Sequence, residues 1–175
     1  EVDQMKITSE AIEDKKIIEW SRNTLETIKT ITGTDVPLSI RVIKSNDVNA
    51  FAVPTGDIFV FKGLIDLFKK RSKTSSFNRE VQGKLLFVIG HEIAHVLNRH
   101  SIKAINYQKA HKQLGKNKKY ESELSKVRDA LELAHSRIDE SEADMFGALF
   151  LIALNYKIDY AFKAMGDLHS LSGGL

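Results

Sequence analysis

The chain has 175 residues, a formal net charge of +3, and 42% hydrophobic and 28% charged residues, the profile of a globular protein long enough to bury one substantial core. It contains no cysteine, which excludes disulfides and thiolate metal sites and leaves histidine and carboxylate to hold any metal. The basic clusters at 69–73 and 116–119 have few aromatics near them, so no nucleic-acid partner is expected, and no apolar run reaches the roughly 18–20 residues of a transmembrane segment.

The numbering opens on Glu1 rather than Met, which fits a signal or anchor removed ahead of it. Ile12, Ile17, Trp20, Leu25, Ile28 and Ile31 recur at helical spacing and predict an amphipathic helix over 8–32. Gly33 and Pro37 stop it. Residues 38–45 alternate Leu38, Ile40 and Val42 with polar positions, the pattern of a half-buried strand. Residues 49–53 and 57–61 read as two short strands joined by a Pro-Thr-Gly turn. A short helix follows over 63–71. The helix predicted over 79–99 is apolar nearly all round, so it belongs at the centre of the core. Two more polar helices are predicted over 101–114 and about 119–136, then a second buried helix over 137–154 and a last one over 157–170. Three sequential strands among helices predict an α+β fold, with a small, mostly antiparallel sheet packed on helices. Residues 1–175 are expected to form a single domain.

The central helix carries "FVIGHEIAHVLNRH". His91 and His95 are four positions apart, about 40° around a helix and roughly 6 Å along it, so their imidazoles can converge on one tetrahedral cation. Glu92 is turned about 100° from His91. It flanks the ion without ligating it, the place of a general base. The bland alternative is a buried helix with two satisfied histidines. It leaves a carboxylate in the core without a cation or partner, which is costly. A third ligand is needed, and "RIDESEADMFG" at 137–147 offers carboxylates. Glu140 and Asp144 share a helical face, whereas Glu142 points elsewhere. Glu140 is expected to ligate and Asp144 to accept the free ring N–H of a ligand histidine. A solvated acidic helix start accounts for Asp139 and Glu140 but not for Asp144, which leads into an apolar run.

"GHEIAHVLNRH" followed by "SRIDESEADMFG" resembles the gluzincin metallopeptidases, in particular the family of the CAAX prenyl proteases with its envelope and mitochondrial quality-control relatives. "NAFAVPTGDIFVFKGLI" resembles that family's hairpin and following helix, so the likeness spans 49–154. It implies a zincin-like domain and one Zn2+ per chain on His91, His95 and Glu140, with Glu92 as base and Asp144 orienting His91. It also implies a peptidase acting on extended polypeptide at the cell envelope, the periplasm or a membrane. The rival expectation is a latent or non-proteolytic zinc module of the same fold, its cleft shut by its own tail.

Other residues carry weaker expectations. Arg137, three before Glu140, is expected to pair with a nearby carboxylate or to be structural. His100 and His135 read as structural and His111 as exposed. His169 reads as a surface histidine, or as an oxyanion donor or switch ligand reaching the metal. The strand Asn49, Ala50, Phe51, Ala52, Val53 is expected to be an exposed edge that pairs with extended substrate, its small alanines letting a peptide backbone come close.

Overall fold

The computed structural model of the chain describes residues 14–98 and 121–171, and for 121–135 the backbone alone. Helix α1 (Lys15–Thr32) begins where the Asp14 carboxylate accepts from the N–H groups of Lys16 and Ile17, and ends at Gly33, whose φ of 61° turns its N–H onto the Lys29 carbonyl. Ile17, Leu25 and Ile28 are buried in the core. Residues 8–13 of the predicted helix lie outside the described residues.

Strands β1 (Ser39–Ile43), β2 (Ala50–Ala52) and β3 (Asp57–Phe61) form one sheet in the order β1-β3-β2. β2 and β3 make the expected hairpin. Gly56 closes its turn with φ 103°, and a Cβ there would lie 2.7 Å from the Pro37 carbonyl oxygen. The mostly antiparallel sheet needs correction. β1 runs parallel to β3, Ser39 opposite Asp57 through Ile43 opposite Phe61, and only β2 is antiparallel to it. The reason is the link at 44–49, which crosses the end of β3 to the far edge. Gly63 makes room for that crossing: its N–H donates to the Ser45 carbonyl at 2.8 Å, and a Cβ would sit 2.2 Å from the Asn46 carbonyl oxygen.

Helix α2 (Lys62–Arg71) leads to α3 (Arg79–Leu97), which Asn78 caps by accepting from the Val81 N–H at 3.1 Å. α3 is the central helix, burying Leu85, Leu86, Ile89 and Ile93 almost completely. Helix α4 (Glu121–Ala153) is continuous over 33 residues, where two helices were expected to meet near 137. No proline interrupts this stretch and its one glycine is Gly147, so nothing ends a helix there. The change from polar to apolar sequence marks where α4 joins the core. The helix expected over 101–114 lies outside the described residues. Helix α5 (Asp159–His169) completes the described elements. Among the described residues no helix is long and apolar enough to cross a membrane.

α3 packs against α4, α5 and β2. The α3–α4 crossing is glycine on glycine. A Cβ on Gly90 would lie 2.9 Å from the Gly147 Cα, and one on Gly147 would lie 2.6 Å from the Phe87 carbonyl oxygen. Such an approach is open only to residues without side chains. It brings His91, the residue after Gly90, beside the turn of α4 that carries Glu140 and Asp144.

Candidate metal centre

At this crossing His91, His95 and Glu140 each offer a ligand atom, all within 4.8 Å of one another. The His91 and His95 Nε2 atoms are 3.0 Å apart, His91 Nε2 is 3.2 Å from Glu140 Oε2, and His95 Nε2 is 3.5 Å from Glu140 Oε1. A tetrahedral zinc with bonds of about 2.0–2.1 Å separates its ligand atoms by roughly 3.3 Å. The two imidazole nitrogens and the Glu140 carboxylate therefore lie at spacings that suit one such ion. His91 Nδ1 meets Asp144 Oδ1 at 2.8 Å, and a carboxylate there makes Nδ1 the donor and turns the Nε2 lone pair toward the ligand group. Glu142 faces away, its Oε2 accepting from Asn98 Nδ2 at 3.5 Å.

Glu92 is half-buried beside this group. Its Oε2 accepts from the backbone N–H of Ala52 at 3.1 Å. Burial pushes its carboxyl up from the ordinary 4.5, against the opposing pull of His91 and the Ala52 N–H, while Glu140 adds a smaller upward push. The Ala52 bond follows from strand register. The Phe61 N–H donates to the Asn49 carbonyl and the Val53 N–H to the Asp57 carbonyl, both at 3.0 Å. The N–H and C=O groups of Ala50 and Ala52 must then point out of the sheet. The expected edge is present, but the Ala52 donor already holds Glu92. The alanine side chains pack against the core, so their small size serves the approach of α3 rather than of a peptide. Phe51, on the other face, stacks on Phe59 at 5.0 Å.

A cavity of about 430 Å3 opens beside the group. His91, Glu92 and Asp144 line it, with the apolar Leu64, Phe87 and Val88 and with Met165, Leu168 and His169 of α5. His169 is thus a wall residue outside the convergent ligand set. Arg137 is exposed and forms no ion pair among the described residues, so the structure does not bring it to the site. His100, His111 and the side chain of His135 lie outside the described residues. Sequence reasoning missed Met165 and Leu168 as wall residues, because an apolar position on a helix carries no sign of which cavity it faces. It missed the Ala52–Glu92 bond because a backbone donor leaves no mark in a side-chain pattern.

Residues 19–171 match Peptidase family M48. The chain is 34% identical over 138 residues to the mitochondrial metalloendopeptidase OMA1 of Arabidopsis thaliana, covering 77% of this chain and 26% of that protein. It is 29% identical over 154 residues to the metalloprotease YcaL of Escherichia coli (strain K12), covering 82% of this chain and 55% of that protein. A shorter segment of 62 residues is 40% identical to the mitochondrial metalloendopeptidase OMA1 of Bos taurus, 35% of this chain and 10% of that protein. The chain spans about a quarter of the plant relative and just over half of the bacterial one. With the family match running through the hairpin, α3 and the carboxylate-bearing turn of α4, the chain belongs to the metallopeptidase family M48.

Proposed function

We propose that this chain is a zinc endopeptidase domain hydrolysing polypeptide bound in extended form, with one zinc per chain on His91, His95 and Glu140. The observation that carries the reading is the convergence of two imidazoles and a carboxylate at 3.0–3.5 Å, with Glu92 alongside but outside the set. Cysteine-free nitrogen and oxygen ligands of this kind suit zinc, and three of them leave a coordination position open. Zinc held there supplies Lewis-acid polarisation of the scissile carbonyl and acidifies the attacking water.

The chain's own residues do the rest. Glu92, tethered by one oxygen to the Ala52 N–H, takes the water's proton on the other and delivers it to the leaving amine. Asp144 fixes the tautomer of His91. The outward Ala50 N–H and C=O and the Ala52 C=O remain for a substrate strand, which gives affinity with little sequence preference. His169, in the cavity lining, is the donor for the developing oxyanion. Relatives named metalloendopeptidase and metalloprotease support the activity. A site of action at the cell envelope or a membrane rests on family resemblance.

The cavity beside the group supports the peptidase reading, since it offers room for a polypeptide among the described residues. The test is zinc content by elemental analysis together with cleavage of casein. Wild type should carry one zinc per chain and cleave. His91→Ala and Glu140→Gln should lose zinc and cleavage together. Full zinc occupancy in Glu140→Gln would overturn the ligand set, and zinc-loaded wild type that cleaves nothing would return the chain to the latent reading.

A further inference from the structure

Among the described residues, Lys84 is the one buried lysine or arginine outside the candidate metal group. Lys84 lies on α3 at 2% exposure. Its Nζ is 2.7 Å from Asp167 Oδ2, 2.9 Å from Ser72 Oγ and 3.4 Å from Glu80 Oε1. Ser72 Oγ donates in turn to Glu80 at 3.1 Å. Nearby, Arg71 Nη2 donates to Ser170 Oγ at 2.7 Å, and Ser170 Oγ donates to the Asp167 carbonyl at 2.7 Å. The end of α2, the start of α3 and the last turn of α5 are thus tied at one point. Apolar side chains of similar volume hold a core at least as well as a buried ion pair. What a directional pair adds is a fixed register between the elements it joins.

The element held in register is the cleft wall. The buried residues of α5 are Tyr160, Ala161 and Ala164, all before its last turn. Met165 is 37% exposed and Leu168 half-buried, and both line the cavity that Glu92 also lines. Asp167 sits between them in the chain. Leu64 of α2 and Phe87 of α3 share the apolar lining with Val48, Ala50 and Val88, and those two come from the helices that the polar tie joins to α5.

We propose that Lys84 and Asp167 are positioning residues of the cleft. They fix the last turn of α5 so that Met165 and Leu168, with Leu64 and Phe87, form a subsite for an apolar side chain flanking the scissile bond. The proposal rests on the peptidase reading and adds a substrate class to it: extended polypeptide with a bulky aliphatic residue beside the cleaved bond.

The test uses peptides that differ only in carrying Leu or Ala at either residue flanking the cleaved bond. Zinc-loaded wild type should prefer Leu on one side by about tenfold or more in kcat/KM. Lys84→Met should lose that preference through a higher KM for the Leu peptide, with zinc content unchanged. Lys84→Met/Asp167→Leu, which replaces the pair by an apolar contact, should restore it. A ratio of two substrates does not depend on how much enzyme is folded, so a merely stabilising pair would leave it unchanged. Asp167→Asn serves the same purpose if Lys84→Met does not fold. Dye-labelled Leu and Ala peptides titrated onto zinc-free wild type give a second readout, with tighter binding of the Leu peptide expected. If neither peptide is cleaved but the binding preference stands, the peptidase reading fails and the subsite survives. No preference in wild type, or a preference retained in the folded Lys84→Met or Asp167→Asn variant, would overturn the proposal.

Discussion

At the scale of single residues, Glu92 has one firm tether, the Ala52 N–H at 3.1 Å. Proline at an outward-pointing edge position leaves the strand ladder intact and removes only the outward donor. Ala52→Pro should therefore keep zinc and lower kcat by about 10–100-fold, as losses of orienting hydrogen bonds do. Ala50→Pro should raise KM instead, since the donor it removes is one offered to substrate. Steady-state kinetics on one peptide separates the two, and the same kcat for Ala52→Pro as for wild type would show that the tether is idle. The raised carboxyl of Glu92 gives a further expectation for the zinc-free protein. A folded value above the unfolded one contributes stability that is full below the ordinary 4.5 and is lost as pH rises through the folded value. Glu92→Gln should therefore raise the thermal midpoint of the zinc-free protein at pH 7 and leave it nearly unchanged near pH 4. The convergence of His91, His95 and Glu140 was legible because helical spacing is rigid: four positions bring His91 and His95 together, and two positions separate Glu140 from Glu142 by about 200°. Glu142→Gln should accordingly retain zinc where Glu140→Gln loses it. Arg137 was legible only as a charge near a carboxylate, and a long side chain at an exposed helix position has too many rotamers for spacing to place it.

At the scale of elements, the site depends on how closely α3 and α4 cross. A methyl on Gly147 would lie 2.6 Å from the Phe87 carbonyl oxygen and 2.9 Å from the Phe87 ring, contacts that backbone cannot yield cheaply. Gly147→Ala should cost about 1–3 kcal/mol in stability, as overpacking does. Because the same crossing sets the distance from His91 to Glu140, zinc affinity should fall with it. Isothermal titration of zinc alongside thermal unfolding checks both, and unchanged zinc affinity in a destabilised Gly147→Ala variant would uncouple the crossing from the site. Helix positions were legible from apolar periodicity, and the hairpin from its Pro-Thr-Gly turn. Two features were not. A change of polarity near residue 137 looks the same in sequence whether a helix ends or merely meets the core. The parallel pairing of β1 with β3 depends on the path of residues 44–49, and alternation within a strand carries no direction for its neighbour.

At the scale of the whole molecule, the proposed site draws on α3 for two ligands and the base, on α4 for the third ligand and the carboxylate beside His91, on β2 for the tether and the edge, and on α5 for Met165, Leu168 and His169 of the cavity lining. Each role falls to a different part of the chain, and the central helix is the part that all of them touch. The proposed mechanism turns on Glu92 doing proton chemistry without holding metal. The most direct measurement is the zinc content and casein-cleavage rate of Glu92→Gln beside wild type, purified without chelator. The predicted result is one zinc per chain in both proteins, with cleavage lowered by about 100-fold or more in the variant, the scale of a missing general base. A Glu92→Gln protein that has lost its zinc, or one that cleaves casein at the wild-type rate, would contradict it.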